Sequence, residues 1–418
     1  MSAENLEILQ IIQKKLKGKR LSYQEYYKVV KAIAENRLSD ILLTYFVAST
    51  YEHPPSLKEL YFFTKAMVET GIKLKFSPPV VDKHSTGGVP GNRITLILVP
   101  IIASLGITIP KTSSRAITSP AGTADCMEVL APVSLSPKKI YEVIKKTNGC
   151  IIWGGNLNIA PADDELIRVE KPLQLEAEDK VIVSIMAKKI AVSATHLVLD
   201  IPYSSSLKIK NKKQAEKIAR KFRALAKMFS IKLKIILDLS DDNLSNTAGP
   251  ALESYSALKV LEQKEDKSER LEEKAVFFSA HLYALAKDID FKTAKKQVWD
   301  SLRTLKALNK FKEIIKAQGG DPDITSEKLM NKIRKKTYQK IIYAKKSGKI
   351  RKMSNSNLSA IAQILGAPHY KYAGVYMFAS TGDIVKKGDA LYEFFSQDKH
   401  SLQEAEETLK LFPIYTIR

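Results

Sequence analysis

Between Pro78 and Leu237 the sequence alternates short apolar runs with longer stretches of helical periodicity, a grammar that few folds can satisfy. Pro78-Pro79-Val80-Val81, Ile107–Pro110, Cys150-Ile151-Ile152-Trp153, His196–Ile201 and Lys234–Leu237 have the length and apolar character of strands. Thr95–Leu105, a segment opening at Ala124–Leu130, and Ala215–Phe229 read as the helices among them. This pattern predicts a parallel sheet with crossover helices. On either side the grammar differs. Residues 1 to about 75 read as helices, with apolar positions at helical spacing in Leu6-Ile8-Leu9-Ile12 and Tyr27-Val29-Val30-Ile33. Ser56 followed by Glu59 predicts a capping box opening a helix through Val68. Residues 253–320 read as helical apart from a turn near Asp288-Ile289-Asp290. From about residue 335 short strands alternate with turns, two of them marked by Thr381-Gly382-Asp383 and Lys387-Gly388-Asp389.

A chain of 418 residues exceeds one compact core, so two or three domains are expected. No apolar run approaches the roughly 18–20 residues of a membrane span. The opening segment places acidic and apolar residues before its basic ones, the reverse of a secretory signal. Cys126 and Cys150 are the only cysteines and form no CxxC, which points to a reducing, cytoplasmic setting. With six histidines and no His/Cys cluster, the chain offers no structural zinc pattern. The formal charge of +22 is the unusual bulk property. Its basic residues are dispersed over Lys14–Arg20, Lys208–Arg223 and Lys332–Lys352, without a nucleic-acid-binding signature. Solvated helix faces account for them better than a specific nucleic-acid footprint.

Four segments can carry chemistry. Asp82-Lys83-His84-Ser85-Thr86-Gly87-Gly88 follows an apolar strand and leads through Val89-Pro90-Gly91-Asn92-Arg93 into an apolar helix. Glycines let backbone N–H groups turn toward an anion, and the helix start adds positive charge. The segment matches neither a P-loop nor a dinucleotide fingerprint. Lys111-Thr112-Ser113-Ser114-Arg115-Ala116-Ile117-Thr118-Ser119-Pro120-Ala121-Gly122-Thr123 gathers hydroxyls and cations between a strand and a helix, a set suited to phosphate. The third is Gly154-Gly155-Asn156 through Pro161-Ala162-Asp163-Asp164, which reads as a helix start or a hinge, with Asp at capping positions. The fourth joins Glu176 to Ser184-Ile185-Met186-Ala187-Lys188, where Ser184 and Lys188 share one helix face.

In this order the four segments resemble the thymidine and pyrimidine-nucleoside phosphorylase family, over nearly the whole chain. DKHSTGG, SSRAITSPAGT, the APAD stretch and the Ser-x-x-x-Lys helix carry the likeness, together with Gly366-Ala367-Pro368, Ala373-Gly374 and GDIVKKGDALY near the end. KTSSRAIT, AGTADCMEVLAPV and VPGN are similar to the subgroup of archaeal AMP phosphorylases and bacterial proteins classed as thymidine phosphorylases. Carried over position by position, the resemblance implies phosphate ligands at Lys83, Ser85, Thr95, Ser113 and Thr123, and nucleoside ligands at His84, Arg168, Ser184 and Lys188. In AMP-type members the nucleotide ligands would fall on Gly88, Ser114, Arg115, Ala116, Ile117, Thr118, Ser119, Thr123, Ser184 and Lys208. The proton donor of those members is an Asp; Glu176 stands at that place, and His84 is the other candidate donor.

The resemblance further implies an α/β fold with a helical lobe, a larger α/β lobe around a central, mainly parallel sheet, and a small C-terminal α+β domain. The boundaries expected are a helical lobe at 1–75 with 160–193 returning to it, a phosphate-binding α/β lobe at 76–159 and 194–330, and the C-terminal domain at 335–418. The implied assembly is a homodimer through the helical lobe. The expected reaction is phosphorolysis of an N-glycosidic bond after lobe closure, with inorganic phosphate as co-substrate and no metal or other cofactor. Thymidine ranks first as substrate and nucleoside 5′-monophosphates second, because Tyr203-Ser204-Ser205-Ser206-Leu207 replaces the glycine-containing loop before Lys208; the same altered loop leaves a degenerate, inactive phosphorylase as the third reading. The subgroup's additional N-terminal domain is not seen in this sequence. A related phosphoribosyltransferase would need an acidic metal–diphosphate motif that the sequence lacks.

Overall fold

The computed structural model describes residues 3–87, 89–116, 119–173, 177–204, 207–239 and 243–418. Four helices come first: α1 (Ala3–Leu16), α2 (Tyr23–Ala34), α3 (Asp40–Glu52) and α4 (Leu57–Glu69). There follow β1 (Val81–Ser85), α5 (Ile94–Ser104), β2 (Ile109–Ser113), α6 (Thr123–Glu128), α7 (Pro137–Thr147) and β3 (Gly149–Trp153). Then come α8 (Pro161–Leu173), α9 (Glu178–Ala191), β4 (His196–Pro202), α10 (Lys212–Met228), β5 (Lys232–Asp238) and the short β6 (Thr247–Ala248). A helical run follows: α11 (Pro250–Leu261), α12 (Glu269–Lys287), α13 (Phe291–Arg303), α14 (Lys306–Gln318) and α15 (Ser326–Lys336). The last stretch is β7 (Tyr338–Tyr343), β8 (Gly348–Met353), α16 (Asn355–Ile364), β9 (Gly374–Met377), β10 (Ile384–Val385), β11 (Ala390–Ser396), α17 (Lys399–Leu411) and β12 (Tyr415–Ile417). No helix among the described residues is long and apolar enough to cross a membrane.

The chain divides into two compact units. The first comprises residues 1–84, 154–197 and 216–233. Its amphipathic helices bury one face each, and Tyr26 stacks on Phe63 at 5.2 Å while Phe46 meets the same ring edge-on at 5.8 Å. The expected capping box is present: Ser56 and Glu59 cap α4 reciprocally. Glu59 does more than cap, since its buried carboxylate also receives Lys15 at 3.1 Å, Arg20 at 2.7 Å and the Leu21 N–H at 3.0 Å. Burial opposes ionisation there, but these donors outweigh it and hold the carboxyl down to about 2.

The second unit comprises residues 85–153, 198–215 and 234–418. Its α5 is almost wholly apolar and is buried from Ile94 to Ala103, as a helix without a polar face must be. Beside it β2 and β3 pair in parallel, with Ile109 opposite Gly149 and Ser113 opposite Trp153. Strands β1, β4 and β5 form a separate three-stranded sheet in that order. The C-terminal part builds two antiparallel sheets around its own core of Leu358, Ile361, Val375 and Phe394. One has the order β10-β8-β12 and the other β6-β9-β11-β7.

Several boundaries differ from the sequence expectations. The extended run at Pro78–Val81 becomes strand only from Val81, because prolines lack the N–H a ladder needs. In consequence Asp82, Lys83, His84 and Ser85 lie on β1 itself, whereas the sequence pattern places them in the turn after it. β2 begins two residues later than expected and includes Lys111, Thr112 and Ser113, polar residues that β3 nonetheless pairs in register. The expected single sheet separates into two hydrogen-bonded sets, so β1 and β2 are not paired neighbours. The helical region is interrupted at residues 262–268 and at Leu305, in addition to the expected turn, where Asp288 takes a left-handed conformation and Asp290 caps α13.

Candidate active site

In the second unit, two loops offer hydrogen-bond donors to an anion. Ser85 closes β1, and the Thr86 N–H donates to the Asp200 carbonyl on β4 at 3.0 Å. The hydroxyls of Thr86 and of Ser113, at the ends of β1 and β2, are buried without a hydrogen-bond partner. Such orphans cost free energy unless something binds them. Thr95 lies in the first turn of α5, whose N-cap Arg93 supplies no side-chain hydrogen bond. Thr123 is the first residue of the six-residue α6, whose N-cap Gly122 donates its N–H to the Asp125 side chain. The α5 start therefore presents N–H groups and positive charge, whereas in α6 the Asp125 carboxylate occupies the first turn. Lys111 is buried, and its ammonium donates to the Thr112 carbonyl at 2.7 Å.

The second loop is held by charged side chains rather than by hydroxyls. Asp125 accepts the N–H groups of Ala116 at 2.7 Å and Gly122 at 2.8 Å. Arg115 binds Glu128 through both terminal nitrogens, at 2.7 and 2.8 Å, and lies 4.6 Å above the Trp153 ring. Arg115 and Lys371 hold the Glu128 carboxyl down to about 2. The Arg115 guanidinium, expected as a substrate ligand, has a bidentate carboxylate partner that shapes the loop. Ser114 is exposed, and Ser119 donates to the Ala121 carbonyl at 2.9 Å. Arg93, itself bound to buried Glu253 at 2.6 Å, also donates to that carbonyl. A Cβ at Gly122 would stand 2.5 Å from the Ser114 carbonyl oxygen and 2.6 Å from the Arg115 carbonyl carbon. Gly122→Ala is expected to displace the loop and lower kcat/KM for phosphate on the order of tenfold to a hundredfold while the circular dichroism spectrum stays unchanged. Unaltered phosphate dependence in that variant would contradict the loop's role.

In the first unit, α8 and α9 bring three expected or capping residues together. Asp163, in the first turn of α8, is fully buried. It receives the Ser184 hydroxyl at 2.7 Å and Lys188 at 2.6 Å on one oxygen, and Lys180 approaches the other at 3.1 Å. Burial would raise this carboxyl; Lys188, Lys180 and the Ser184 hydroxyl overcome it and keep the group well below the ordinary carboxylate range. Because an ionised carboxylate only accepts, Ser184 spends its single proton on Asp163. Ser184 thus offers a ligand an acceptor and Lys188 a donor, a pair suited to the edge of a nucleobase. Asp163 was legible in the sequence only as a cap. The overlooked signal is Lys180-Ser184-Lys188 at successive i, i+4 positions, two ammonium groups on one helix face that require a counter-charge.

Arg168 is not part of that cluster. Its exposed guanidinium binds Asp40 through both terminal nitrogens, at 2.7 and 3.1 Å, and Glu165 at 2.9 Å. The Asp40 hydrogen bonds, then Glu165, raise its pKa further. An exposed pair of this kind contributes only about 0–1 kcal/mol, so a ligand can exchange for it. Lys83 is buried and His84 half-buried on β1; Lys189 anchors the strand through a 2.6 Å bond to buried Asp82. Lys208 is exposed. Gly88, Ile117, Thr118 and Glu176 lie outside the described residues, as do Ser205 and Ser206 of the altered loop.

Comparison with known proteins follows the same lines. Residues 9–71 match the model described as a glycosyl transferase family helical bundle domain, and 77–308 that of the family's a/b domain. A protein of Thermofilum pendens named AMP phosphorylase is 44% identical over 403 residues, covering 96% of this chain and 77% of its own. One of Methanococcus vannielii with the same name is 40% identical over 404 residues, covering 96% and 79%. A Legionella pneumophila protein provisionally named a thymidine phosphorylase is 37% identical over 406 residues, covering 97% and 77%. Anthranilate phosphoribosyltransferase from Thermus thermophilus superposes with a TM-score of 0.62 at 16% identity, covering 74% of this chain and 99% of its own, a likeness of fold. The chain belongs to this glycosyl transferase family, and within it to the pyrimidine-nucleoside phosphorylase family.

Proposed function

We propose that the protein cleaves nucleoside 5′-monophosphates with inorganic phosphate, releasing the base and forming ribose 1,5-bisphosphate. The observation that carries the phosphorolytic part is the pair of buried, unpartnered hydroxyls of Thr86 and Ser113, each at a strand end. A phosphate oxygen accepts from such donors, and Lys83, Ser85, Thr95 and Thr123 complete a phosphate-binding set. Ser184 and Lys188 receive the base edge. A phosphate oxygen forms the new bond to the anomeric carbon as the carbon–nitrogen bond breaks. Its electron pair leaves with the base, which takes a proton from His84 or Glu176. The chemistry calls on phosphate as co-substrate and on no metal or organic cofactor.

The nucleotide preference rests on the relatives named AMP phosphorylase, and it reverses the ranking drawn from the Tyr203–Leu207 loop. The second reading, thymidine cleaved to thymine and 2-deoxyribose 1-phosphate, is supported by the Legionella relative's name. A phosphate-dependent base-release assay across AMP, CMP, UMP, uridine and thymidine separates them. The expected result is efficient turnover of at least one monophosphate, negligible thymidine cleavage, and a raised KM for the monophosphate in Lys208→Ala. A remote contact made equally in ground and transition states acts on KM. Efficient thymidine cleavage with inert monophosphates would install the second reading.

A further inference from the structure

We infer that the second unit holds another oxyanion site, for inorganic phosphate or the phosphate of a small monoester, in a polar cavity where the N-terminus of α12 meets the C-terminal sheet. The cavity measures about 130 Å³. That is well below the roughly 300 Å³ at which drug-sized ligand sites begin, so it admits a tetrahedral oxyanion and not a nucleoside. Lys259, Lys267 and Arg270 line it, against a single acid, Asp266. Lys259 is only 6% exposed, and its ammonium is paired at 2.6 Å with a carboxylate whose side chain is 75% exposed. So solvated a carboxylate compensates this cation only in part, the Tyr255 ring at 5.3 Å being its other support. Lys267 lies at 3.6 Å from Glu272, a loose ion pair. The N-terminus of α12 opens at Ser268 on the same wall, with Glu269 and Glu272 in its first turn, and Tyr376 and Ser380 of the C-terminal region line the cavity.

The backbone ties this cavity to the substrate loops. The Leu244 carbonyl accepts the Ser268 hydroxyl at the cavity, while the Leu244 N–H donates 3.0 Å to Asn92, two residues before α5. A Cβ at neighbouring Gly91 would stand 2.3 Å from the Asn243 side chain, so the two segments move together or not at all. An anion drawn to Lys259 and Lys267 therefore bears on the start of the helix that carries Thr95.

The test counts phosphates. Isothermal titration of the whole chain with inorganic phosphate is expected to give two binding events, one lost in Lys83→Ala and the other in Lys267→Gln. The solvent-reaching Lys267→Gln and Arg270→Gln avoid the folding risk of replacing buried Lys259, and each should raise the second dissociation constant by at least about tenfold. Ribose 5-phosphate, titrated into Lys83→Ala, reports whether a monoester is preferred; tighter binding than inorganic phosphate assigns the site to sugar phosphates, and weaker binding to the free ion. One binding event in the wild type, or a second event indifferent to Lys267→Gln and Arg270→Gln, overturns the inference. The readout is binding, so it stands apart from the Proposed function, which fails on turnover.

Discussion

Asp163→Ala is expected to cost about 3–5 kcal/mol of stability, and with it most of the base-release activity. The wild-type carboxylate is fully buried between two ammonium groups and a hydroxyl. Removing it leaves Lys188 without its carboxylate and Lys180 with Glu170 alone, at 2.8 Å. Asp163→Asn is the sharper variant, since its carbonyl can still accept from Ser184 while the charge is gone. It should keep part of the fold and lose the ordered Ser184–Lys188 pair, raising KM for the base-bearing substrate. The pH dependence has a definite sign. Because the folded carboxyl sits below its ordinary value, its stabilisation is fully present above the usual carboxylate range and disappears as pH falls through the depressed value. Urea unfolding midpoints at neutral pH, with steady-state kinetics on the same samples, check both parts. Wild-type stability together with wild-type KM in the Asn variant would remove Asp163 from the site.

Lys83→Ala is expected to abolish most phosphate-dependent turnover without unfolding the chain. Lys83 lies on β1 and is 4% exposed, next to an Asp82 whose carboxylate is already occupied by Lys189 at 2.6 Å and by the Lys83 N–H at 2.7 Å. Losing a charge-assisted contact to phosphate is worth about 1.5–3 kcal/mol, roughly 10- to 100-fold in kcat/KM for phosphate. Lys83→Arg keeps the charge with altered geometry and should recover part of the loss. Initial rates against phosphate concentration supply the measurement. Base release at the wild-type rate in Lys83→Ala, or without phosphate in the wild type, would defeat the phosphorylase assignment itself.

The alternation of apolar runs and helices made the α/β arrangement legible, because buried parallel strands and their crossovers leave strong periodic signals. What stayed hidden has one physical cause. Polar residues at strand ends, such as Lys83 on β1 and Thr112 on β2, look like loop in a hydropathy pattern, yet pairing and burial make them strand. Likewise Glu253 carries no local signature, since its partner is distant in sequence: it meets Arg93 across 160 positions. The motifs carried the proposed ligand positions. The charged residues that hold the motifs in place became visible only once the chain was folded.

Strand β6 gives the C-terminal region a different standing from that of an appended module. Thr247 and Ala248 pair with Tyr376 and Val375, so a dipeptide from the middle of the chain supplies the edge of the C-terminal four-stranded sheet. Gly249 and Gly374 make the crossing possible, for a Cβ on either would stand 2.4 or 2.2 Å from a carbonyl oxygen of the opposite segment. Cutting the gene at residue 335, where the sequence pattern changes, would strip one fragment of its strand partner and bare a sheet edge on the other. A swap of the C-terminal region is therefore expected to fold only when the segment around residue 248 travels with it.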